Sequence, residues 1–352
     1  MRELRVALLG QGFMGKAHSN ALRQVSHFFD IPFRIRCSLL CGRDQSALDR
    51  MAARWGWEET TTDWRTAIDN RNIDAVDVCL PNHLHAEVAM AAARAGKIVL
   101  CEKPLAMNAA EAEAMAAAAR NVPNLVWFNY RRVPAIALAH RWLAEGRLGD
   151  IYHYRATYLQ QWGPDPSRAN VWRMDPSFAG SGAAGDLLSH ALDLALWLNG
   201  PVRSLSATLH AFTPGRKVDD AALALARFSN GSLGTFEATR FAIGCRNRNS
   251  FEIHGSKGML GFNLERLNHL HYLDATEPDD RQGLRDILVG SDFWKPGHII
   301  GYEHTFIATL AEFLHAVDRG EPFHPNFEDG ANVQRLLDAV STSSHTGQWL
   351  EV

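Results

Sequence analysis

Residues 10–15, with the sequence Gly-Gln-Gly-Phe-Met-Gly, restrict the fold of this chain more than any other segment. They follow the short apolar run 4–9 and precede a helical pattern that extends to residue 27. A strand, a glycine-rich turn and a helix in this order predict a dinucleotide-binding site, with the pyrophosphate at the helix N-terminus. Gly10 would make the tight turn, Gly12 would let the backbone approach the pyrophosphate, and Gly15 would pack the helix against the strand.

Apolar segments that alternate with helical patterns continue this arrangement to residue 128. We expect further strands at 35–40, 74–80, 97–100 and 125–129. Because strands that alternate with helices form parallel sheets, residues 1–128 are predicted to be an α/β Rossmann domain that binds a dinucleotide.

The pattern changes beyond residue 150, where longer strands are expected at 151–161, 202–212, 220–228, 232–240, 249–262 and 267–273. They predict a meandering sheet, so residues 129–352 are expected to be an α+β domain with a large open, mostly antiparallel sheet. This domain would bind the substrate. Segment 221–228 is apolar on both faces, and an exposed apolar face commonly packs on another subunit, so we expect a homo-oligomer, a dimer or a tetramer.

The composition is that of an ordinary soluble globular protein, with 46% hydrophobic residues, 21% charged residues and a net charge of -3 over 352 residues. The basic clusters are short and lie apart from aromatic residues, so no nucleic acid partner is expected. No apolar run approaches the roughly 20 residues of a membrane span, and no signal peptide is visible, so no membrane partner is expected. The five cysteines, most of them in apolar segments, predict reduced thiols and a cytoplasmic protein.

The second strand ends at Gly42 and Arg43, where a carboxylate that binds the adenosine ribose is expected. Asp44 comes one or two positions late. An arginine in this place could pair with the 2′-phosphate of NADP or stack on adenine. The choice between NAD and NADP therefore stays open.

Pro81, Asn82, His83 and His85 follow the strand 74–80 at the same sheet edge. The two histidines are two residues apart in a turn, without a third ligand nearby. This spacing favours a loop that lines the cofactor, or simple capping, over a metal site, and no metal is expected.

Lys103 lies at the carboxyl end of strand 97–100, where open α/β sheets bind their ligands. Pro104 has no N–H group and favours an extended Lys103, so the strand stops and the ammonium group stays at the rim. A lysine at a strand end is most often simply solvated. A chemical role for Lys103 therefore depends on what the rest of the chain supplies.

Asp186 and His190 follow a glycine-rich segment, at the start of an apolar helix. A spacing of four places both side chains on one helix face, so the carboxylate could orient an imidazole that meets a substrate hydroxyl. The alternative is an N-terminal acid with a core histidine that bonds to a backbone carbonyl. Alcohol oxidation needs a base, a hydride acceptor and a cation near the oxygen, and the chain offers one candidate for each.

The chain resembles the Gfo/Idh/MocA dehydrogenases of sugars, inositols and glycosides over nearly its whole length. Five motifs stand in the order and spacing of that family: Gly10-x-Gly12-x-x-Gly15 with His18, Pro81-Asn82-x-x-His85, Glu102-Lys103-Pro104, Asn129-Tyr130-Arg131 and Gly185-Asp186-x-x-x-His190. The resemblance implies NAD(P)-dependent hydride transfer from a secondary hydroxyl of a sugar, anhydrosugar, glycoside or inositol. Segments 12–19, 158–162, 172–173 and 179–182 resemble the members that oxidise levoglucosan or glucosides at C3.

The resemblance also implies roles for individual residues. Lys103, Asp186 and His190 would be catalytic. The substrate would contact these three residues and Tyr130, Gln160, Trp162 and Arg173. The cofactor would contact Gly10, Gly12, Phe13, Met14, Gly15, Gly42, Arg43, Pro81, Asn82, His85, Glu102, Lys103, Trp172 and Arg173.

Two alternative functions remain. The first is a redox glycosidase of the same fold, in which transient reduction of bound NAD allows a 3-keto sugar to eliminate its aglycone. A dehydrogenase consumes NAD(P) stoichiometrically and such a glycosidase does not, so net cofactor turnover separates them. The second is a non-catalytic dinucleotide-binding sensor, which would need neither Lys103 nor the Asp186 and His190 pair.

Overall fold

The computed structural model describes residues 2–168 and 171–352. The chain forms two compact units: the first comprises Met1–Asn129 and Gly301–Asn332, and the second comprises Tyr130–Ile300 and Val333–Val352. The domain division at residues 128 and 129 stays a prediction. The segment 301–332 belongs to the first compact unit, which the strand pattern of the sequence did not indicate.

Strands and helices alternate in the first third of the chain, and strands predominate after residue 150. The strands are β1 (Arg2–Leu9), β2 (Phe33–Cys41), β3 (Glu59–Thr61), β4 (Ala75–Val78), β5 (Ile98–Cys101), β6 (Asn124–Val126), β7 (Ile151–Leu159), β8 (Val202–His210), β9 (Ala221–Phe228), β10 (Leu233–Thr239), β11 (Arg248–Gly255), β12 (Gly258–Asn263), β13 (His269–Asp274), β14 (Arg285–Leu288) and β15 (Leu350–Glu351). The α-helices are α1 (Phe13–Phe28), α2 (Gln45–Trp55), α3 (Arg65–Asp69), α4 (His85–Arg94), α5 (Ala109–Ala119), α6 (Pro134–Ala144), α7 (Pro176–Ala179), α8 (Ser189–Asn199), α9 (Tyr302–Arg319) and α10 (Phe327–Thr346).

The first unit contains a six-stranded sheet in the order β3-β2-β1-β4-β5-β6. All of its neighbouring strands pair in parallel, which confirms the predicted Rossmann domain. Strand β3 was not predicted, because an edge strand of three residues carries too short a pattern to recognise. The carboxyl ends of β1, β2, β4 and β5 share one edge, where the predicted cofactor-binding residues begin.

Apolar side chains at the centre of this sheet are shielded from solvent on both faces. Leu8 and Leu9 of β1 and Val76 and Val78 of β4 are each 0% exposed. Full burial of such a side chain stabilises the fold by about 1.5 to 3 kcal/mol, so these strands hold the glycine-rich turn on a rigid base.

The second unit contains a nine-stranded sheet in the order β14-β13-β12-β11-β7-β10-β9-β8-β15. Strands β7 and β10 pair in parallel, and the other neighbouring strands pair antiparallel. This confirms the large, mostly antiparallel sheet. The single strand expected at 249–262 is wrong: a turn at Ser256 and Lys257 divides it into the hairpin of β11 and β12. Strands β14 and β15 were not predicted.

Strand β9 exposes one apolar face and buries the other. Ala222, Ala224 and Phe228 are at most 6% exposed, whereas Leu223 and Leu225 are 48% and 53% exposed. The alternation is that of a strand with one face on the core. The outward face of β9 therefore carries exposed leucines.

Among the described residues, no helix combines the length and the apolar character that a membrane span needs. The thiols of Cys37, Cys41, Cys79, Cys101 and Cys245 are all free.

Candidate active site

The turn after β1 leaves open space at the N-terminus of α1. Gly10 has a φ of +135°, and a Cβ on it would lie 2.4 Å from the carbonyl oxygen of Cys79. A Cβ on Gly15 would lie 2.0 Å from the Gly10 carbonyl oxygen, whereas a Cβ on Gly12 would meet nothing within 4 Å. Gly10 and Gly15 thus permit close packing, and Gly12, the N-cap of α1, leaves room beside the first helical turn. This cradle fits the anionic pyrophosphate of a dinucleotide.

The first two side chains of α1 border this space. Phe13 is 71% exposed, and its ring stacks against Tyr302 with 6.4 Å between the ring centroids. Met14 is half-buried. An exposed aromatic ring beside an anion cradle is suited to contact a flat ligand group.

The end of β2 is built around Gln11. A Cβ on Gly42 would lie 2.0 Å from Oε1 of Gln11, so a larger residue there would displace the Gln11 side chain. The same Oε1 accepts a hydrogen bond of 3.1 Å from the amide of Asp44, whose carboxylate caps α2 by accepting from the Ala47 amide at 3.0 Å. The acidic residue that follows this strand is therefore a helix cap, and Arg43 is exposed beside it.

The loop after β4 is fixed by the buried ring of His85. Pro81 precedes a 3₁₀ turn at Asn82–Leu84, and Asn82 is buried. The ring nitrogens of His85 face two backbone carbonyls, those of Pro104 at 3.0 Å and Leu80 at 2.9 Å. Desolvation lowers the pKa of His85, so the neutral ring donates to one of these carbonyls at a time. His85 thus ties this loop to the residue that follows Lys103.

Lys103 comes two residues after the end of β5. The carboxylate of Glu102, only 6% exposed, accepts a hydrogen bond of 3.0 Å from the backbone amide of Lys103 through Oε2. The side chain of Lys103 is half-buried, and the peptide bond to Pro104 is cis. Lys103 therefore lies at the predicted strand end, on a backbone that a buried carboxylate holds in place.

A buried imidazole connects Glu102 to the centre of the sheet. The ring of His18 donates through Nδ1 to Asp77 at 2.9 Å and through Nε2 to Glu102 at 3.0 Å. Burial alone would lower the pKa of His18, but the two carboxylates outweigh it and raise this pKa to about 9. Trp127 adds a hydrogen bond of 3.0 Å from its indole to Asp77. His18 is thus an imidazolium between two carboxylates.

Cys79 completes a group of side chains with the spacing of a metal site. Its sulfur, a His18 ring nitrogen and an Asp77 oxygen lie within 4.8 Å of one another. Burial raises the pKa of the Cys79 thiol, and both His18 nitrogens already carry protons toward carboxylates. Metal binding would need a thiolate and a neutral imidazole, so we interpret this group as an internal ion-pair network.

In the second unit, the segment that carries Asp186 and His190 begins with a π-helical turn at Ala184–Leu188 and continues as α8. The regular α-helical spacing expected for the two residues is therefore wrong in its first turn. Such π turns are frequent at functional sites, because they rotate side chains out of the regular helical register.

The start of this helix is held by Asp219, which the sequence analysis did not identify. Its carboxylate accepts hydrogen bonds from the amides of Gly182 and Ala184, each at 2.7 Å. Burial raises the pKa of Asp219, which these hydrogen bonds partly counteract. A Cβ on Gly182 would lie 1.7 Å from the Asp219 carbonyl oxygen. Close approach of these two chain segments explains the glycine at position 182.

Asp186 lies against two arginines. Arg240, which is 0% exposed, donates to Asp186 Oδ2 at 3.0 Å, and Nε of Arg173 lies 3.8 Å from Oδ1. The Arg173 guanidinium also stacks on Trp172 at 4.4 Å, and that of Arg240 lies 4.7 Å from the ring of Trp162. The Asp186 carboxylate therefore lies between two guanidinium groups, of which the buried Arg240 donates a hydrogen bond to it.

His190 packs on two tyrosines that belong to a continuous hydrogen-bonded series. Its ring, 6% exposed, lies 4.7 Å from Tyr130 and 5.7 Å from Tyr158, measured between centroids. The hydroxyls of Tyr130 and Tyr158 are 3.1 Å apart, and Tyr158 donates to Asn247 Oδ1 at 2.9 Å. Gln160 donates to the same oxygen at 2.8 Å and accepts from Trp162 at 2.5 Å. We name these five residues, Tyr130, Tyr158, Asn247, Gln160 and Trp162, the polar chain.

Within each unit the structure thus brings predicted residues together. The first unit joins the glycine turn, the β2 end and the Lys103 segment at one sheet edge, and the second unit groups Asp186, His190 and the predicted substrate residues. Sequence reasoning missed Asp77, Asp219, Arg240 and Asn247. A polar residue at the end of a predicted strand was the available signal for Arg240, which follows β10 directly.

Two family models match the chain. The model described as oxidoreductase family, NAD-binding Rossmann fold, covers residues 4–130, and the GFO/IDH/MocA C-terminal domain covers residues 136–261. Levoglucosan dehydrogenase of Pseudarthrobacter phenanthrenivorans is 39% identical, over 100% of this chain and 99% of that protein.

Solved structures resemble the chain over its full length. A levoglucosan dehydrogenase in complex with NADH and levoglucosan has a TM-score of 0.97 at 40% identity, with 100% of both chains covered. An oxidoreductase domain protein from Kribbella flavida has a TM-score of 0.96 at 46% identity, again with 100% of both chains covered.

Proposed function

Because this chain belongs to the GFO/IDH/MocA family of oxidoreductases, we propose that it oxidises a secondary hydroxyl of an anhydrosugar or glycoside, with levoglucosan-type oxidation at C3 favoured. The resemblance stated from the sequence is thereby confirmed at the level of the family. The full-length likeness to a levoglucosan dehydrogenase that binds NADH and levoglucosan carries the proposal. The same complex supports NAD(H) as the cofactor.

The proposed cofactor contacts begin at the cradle of α1. Open space at Gly12 supports pyrophosphate binding there. The other proposed contacts are Gly10, Phe13, Met14, Gly15, Gly42, Arg43, Pro81, Asn82, His85, Glu102, Lys103, Trp172 and Arg173. When bound, the nicotinamide accepts the hydride that leaves the substrate carbon.

Lys103 is proposed to hold the substrate oxygen and stabilise the negative charge that develops on it. Its support is the fixed backbone that Glu102 and the His18 imidazolium provide. A cation on such a backbone is positioned before the reaction, which is the condition for electrostatic stabilisation of a transition state.

His190 is proposed to take the proton of the reacting hydroxyl. The imidazole is the side chain whose ordinary pKa lies nearest neutral pH, and the ring is held by Tyr130 and Tyr158. Asp186 is the third proposed catalytic residue, and its paired carboxylate would accept a hydrogen bond from substrate or imidazole. Tyr130, Gln160, Trp162 and Arg173 are proposed to bind the other substrate hydroxyls.

We also propose that the protein is a cytoplasmic homo-oligomer. The exposed Leu223 and Leu225, with Leu233 at 52% exposure, support subunit contact through the outward face of the large sheet. Free cysteine thiols support the cytoplasmic location. Sedimentation at micromolar concentration that gives only a 39.1 kDa species would contradict the oligomer.

The activity is tested by following NADH formation with levoglucosan, glucosides, free sugars and inositols, each with NAD and with NADP. We expect stoichiometric reduction of NAD with levoglucosan or a glucoside in the panel. Aglycone release without net reduction would instead establish the redox glycosidase, and cofactor binding without turnover on any substrate would establish the sensor.

A further inference from the structure

We propose that Asn247 sets the hydrogen-bond direction of the polar chain and thereby determines which substrate groups Tyr130 accepts. This inference deepens the proposed function and rests on it, because Tyr130, Gln160 and Trp162 are its proposed substrate contacts. Asn247 itself lies outside every motif of the sequence. It is a positioning residue, since it acts through its neighbours in the polar chain.

The direction of the polar chain follows from Trp162, whose indole N–H can only donate. It lies 2.5 Å from Oε1 of Gln160, which fixes the oxygen of that amide toward the indole. The Nε2 group of Gln160 therefore faces Asn247 and donates to it at 2.8 Å. Asn247 in turn must present its oxygen at this contact.

The same oxygen of Asn247 determines the hydrogen-bond direction of the two tyrosine hydroxyls. It accepts the hydroxyl proton of Tyr158 at 2.9 Å. Because a phenol has one proton, the 3.1 Å contact between Tyr158 and Tyr130 must use the proton of Tyr130. The Tyr130 oxygen then meets any further partner as an acceptor. A substrate group at this position must be a donor, as a sugar hydroxyl is.

Hydrogen bonds of the backbone hold Asn247 and its partner Gln160 in place. The amides of Asn247 and Arg246 each donate to Oε1 of Glu265 at 3.3 Å. The backbone amide of Gln160 donates to the Thr239 carbonyl at 2.8 Å, and the backbone carbonyl of Gln160 accepts from the Ala242 amide at 2.9 Å. The amide side chain of Asn247 therefore has a fixed place between two fixed partners.

Burial makes this single acceptor important. Tyr130 and Tyr158 are 4% and 3% exposed, so water cannot readily replace a lost hydrogen-bond partner. Removal of the Asn247 oxygen would take away the acceptor that Gln160 and Tyr158 share, and the Tyr158 proton could then turn to the Tyr130 oxygen, which reverses the direction of the contact between the two tyrosines. Asn247→Leu removes that oxygen at similar volume. Asn247→Asp keeps an oxygen for both donors and is the matched control.

The kinetic test compares these variants on the sugar that gives the highest wild-type kcat/KM. We expect Asn247→Leu to raise KM by about 10- to 100-fold with a smaller change in kcat, and Asn247→Asp to recover most of the wild-type KM. A substrate analogue in which fluorine replaces the hydroxyl that Tyr130 binds cannot donate a hydrogen bond there, so it should inhibit the wild type poorly. Equal KM values for wild type and Asn247→Leu, or equal losses in both variants, would overturn the inference.

A second readout does not depend on turnover. The indole proton of Trp162, assigned by the peak that disappears in Trp162→Phe, reports the hydrogen bond to Gln160. It should move upfield in Asn247→Leu, because Gln160 loses its anchor, and stay near its wild-type position in Asn247→Asp. An unchanged peak in Asn247→Leu would overturn the inference. Inactivity of the wild type on the whole panel would overturn the proposed function alone, and the indole peak would still decide the direction of the polar chain.

Discussion

Nε2 of the buried His18 imidazole lies 3.0 Å from Oε1 of Glu102, the residue whose other carboxylate oxygen holds the Lys103 backbone. The second imidazole nitrogen bonds to Asp77. The His18 ring thus connects α1, the helix that borders the cofactor cradle, to the strand end that carries Lys103.

This ion pair predicts that stability falls at alkaline pH. Since folding raises the pKa of His18 from 6.5 to about 9, its contribution is fully present below pH 6.5 and is lost as the pH rises through 9. The difference corresponds to about 3 kcal/mol. Thermal unfolding between pH 6 and 10 should show this loss in wild type and a flatter profile in His18→Gln. Parallel profiles for the two proteins would show that His18 is not charged in the folded state.

Two neighbouring glycines should respond differently to substitution. Gly12→Val should fold like wild type, because its Cβ meets nothing within 4 Å, but the side chain should fill the cradle and abolish NADH binding. Gly15→Val should instead destabilise the fold, since its Cβ would lie 2.0 Å from a carbonyl oxygen. Calorimetry with NADH and thermal unfolding separate these effects. Unchanged NADH affinity in a folded Gly12→Val would place the pyrophosphate elsewhere.

The sequence predicted the parts of the site that are local in the chain and missed those that depend on strand order. Residues 10–15 and Lys103 are recognisable because a strand, a turn and a helix follow directly. Arg240 lies 54 residues from Asp186, and Asn247 lies 89 residues from Tyr158. Asn247 meets Tyr158 because β11 pairs with β7, and Arg240 meets Asp186 because β10 packs against the turn at Ala184–Leu188; no local pattern encodes either contact.

The β2 end predicts that the enzyme tolerates NADP beside NAD. Asp44 is engaged as the cap of α2, so the neutral end of β2 contributes no carboxylate to repel a 2′-phosphate, and Arg43 is exposed beside it. We expect residual activity with NADP that depends on this guanidinium. Arg43→Ala should lower kcat/KM for NADP by about tenfold more than for NAD, the loss of one charged hydrogen bond. Equal effects on both cofactors would show that Arg43 does not contact the phosphate.

The residue that accepts the substrate proton distinguishes the proposed role of His190 from that of Lys103. His190 is expected to be the base, so His190→Ala should lower kcat by about 10²- to 10⁴-fold while NADH binding persists. Lys103→Met should also lower kcat, because the substrate oxygen loses its cation, but the rise of kcat/KM with pH that reports the base should remain. A lysine in a site of this kind could itself be the base, which would exchange the two roles. The pH profiles of kcat/KM decide: if the alkaline rise survives in His190→Ala and disappears in Lys103→Met, Lys103 takes the proton and His190 only positions the substrate.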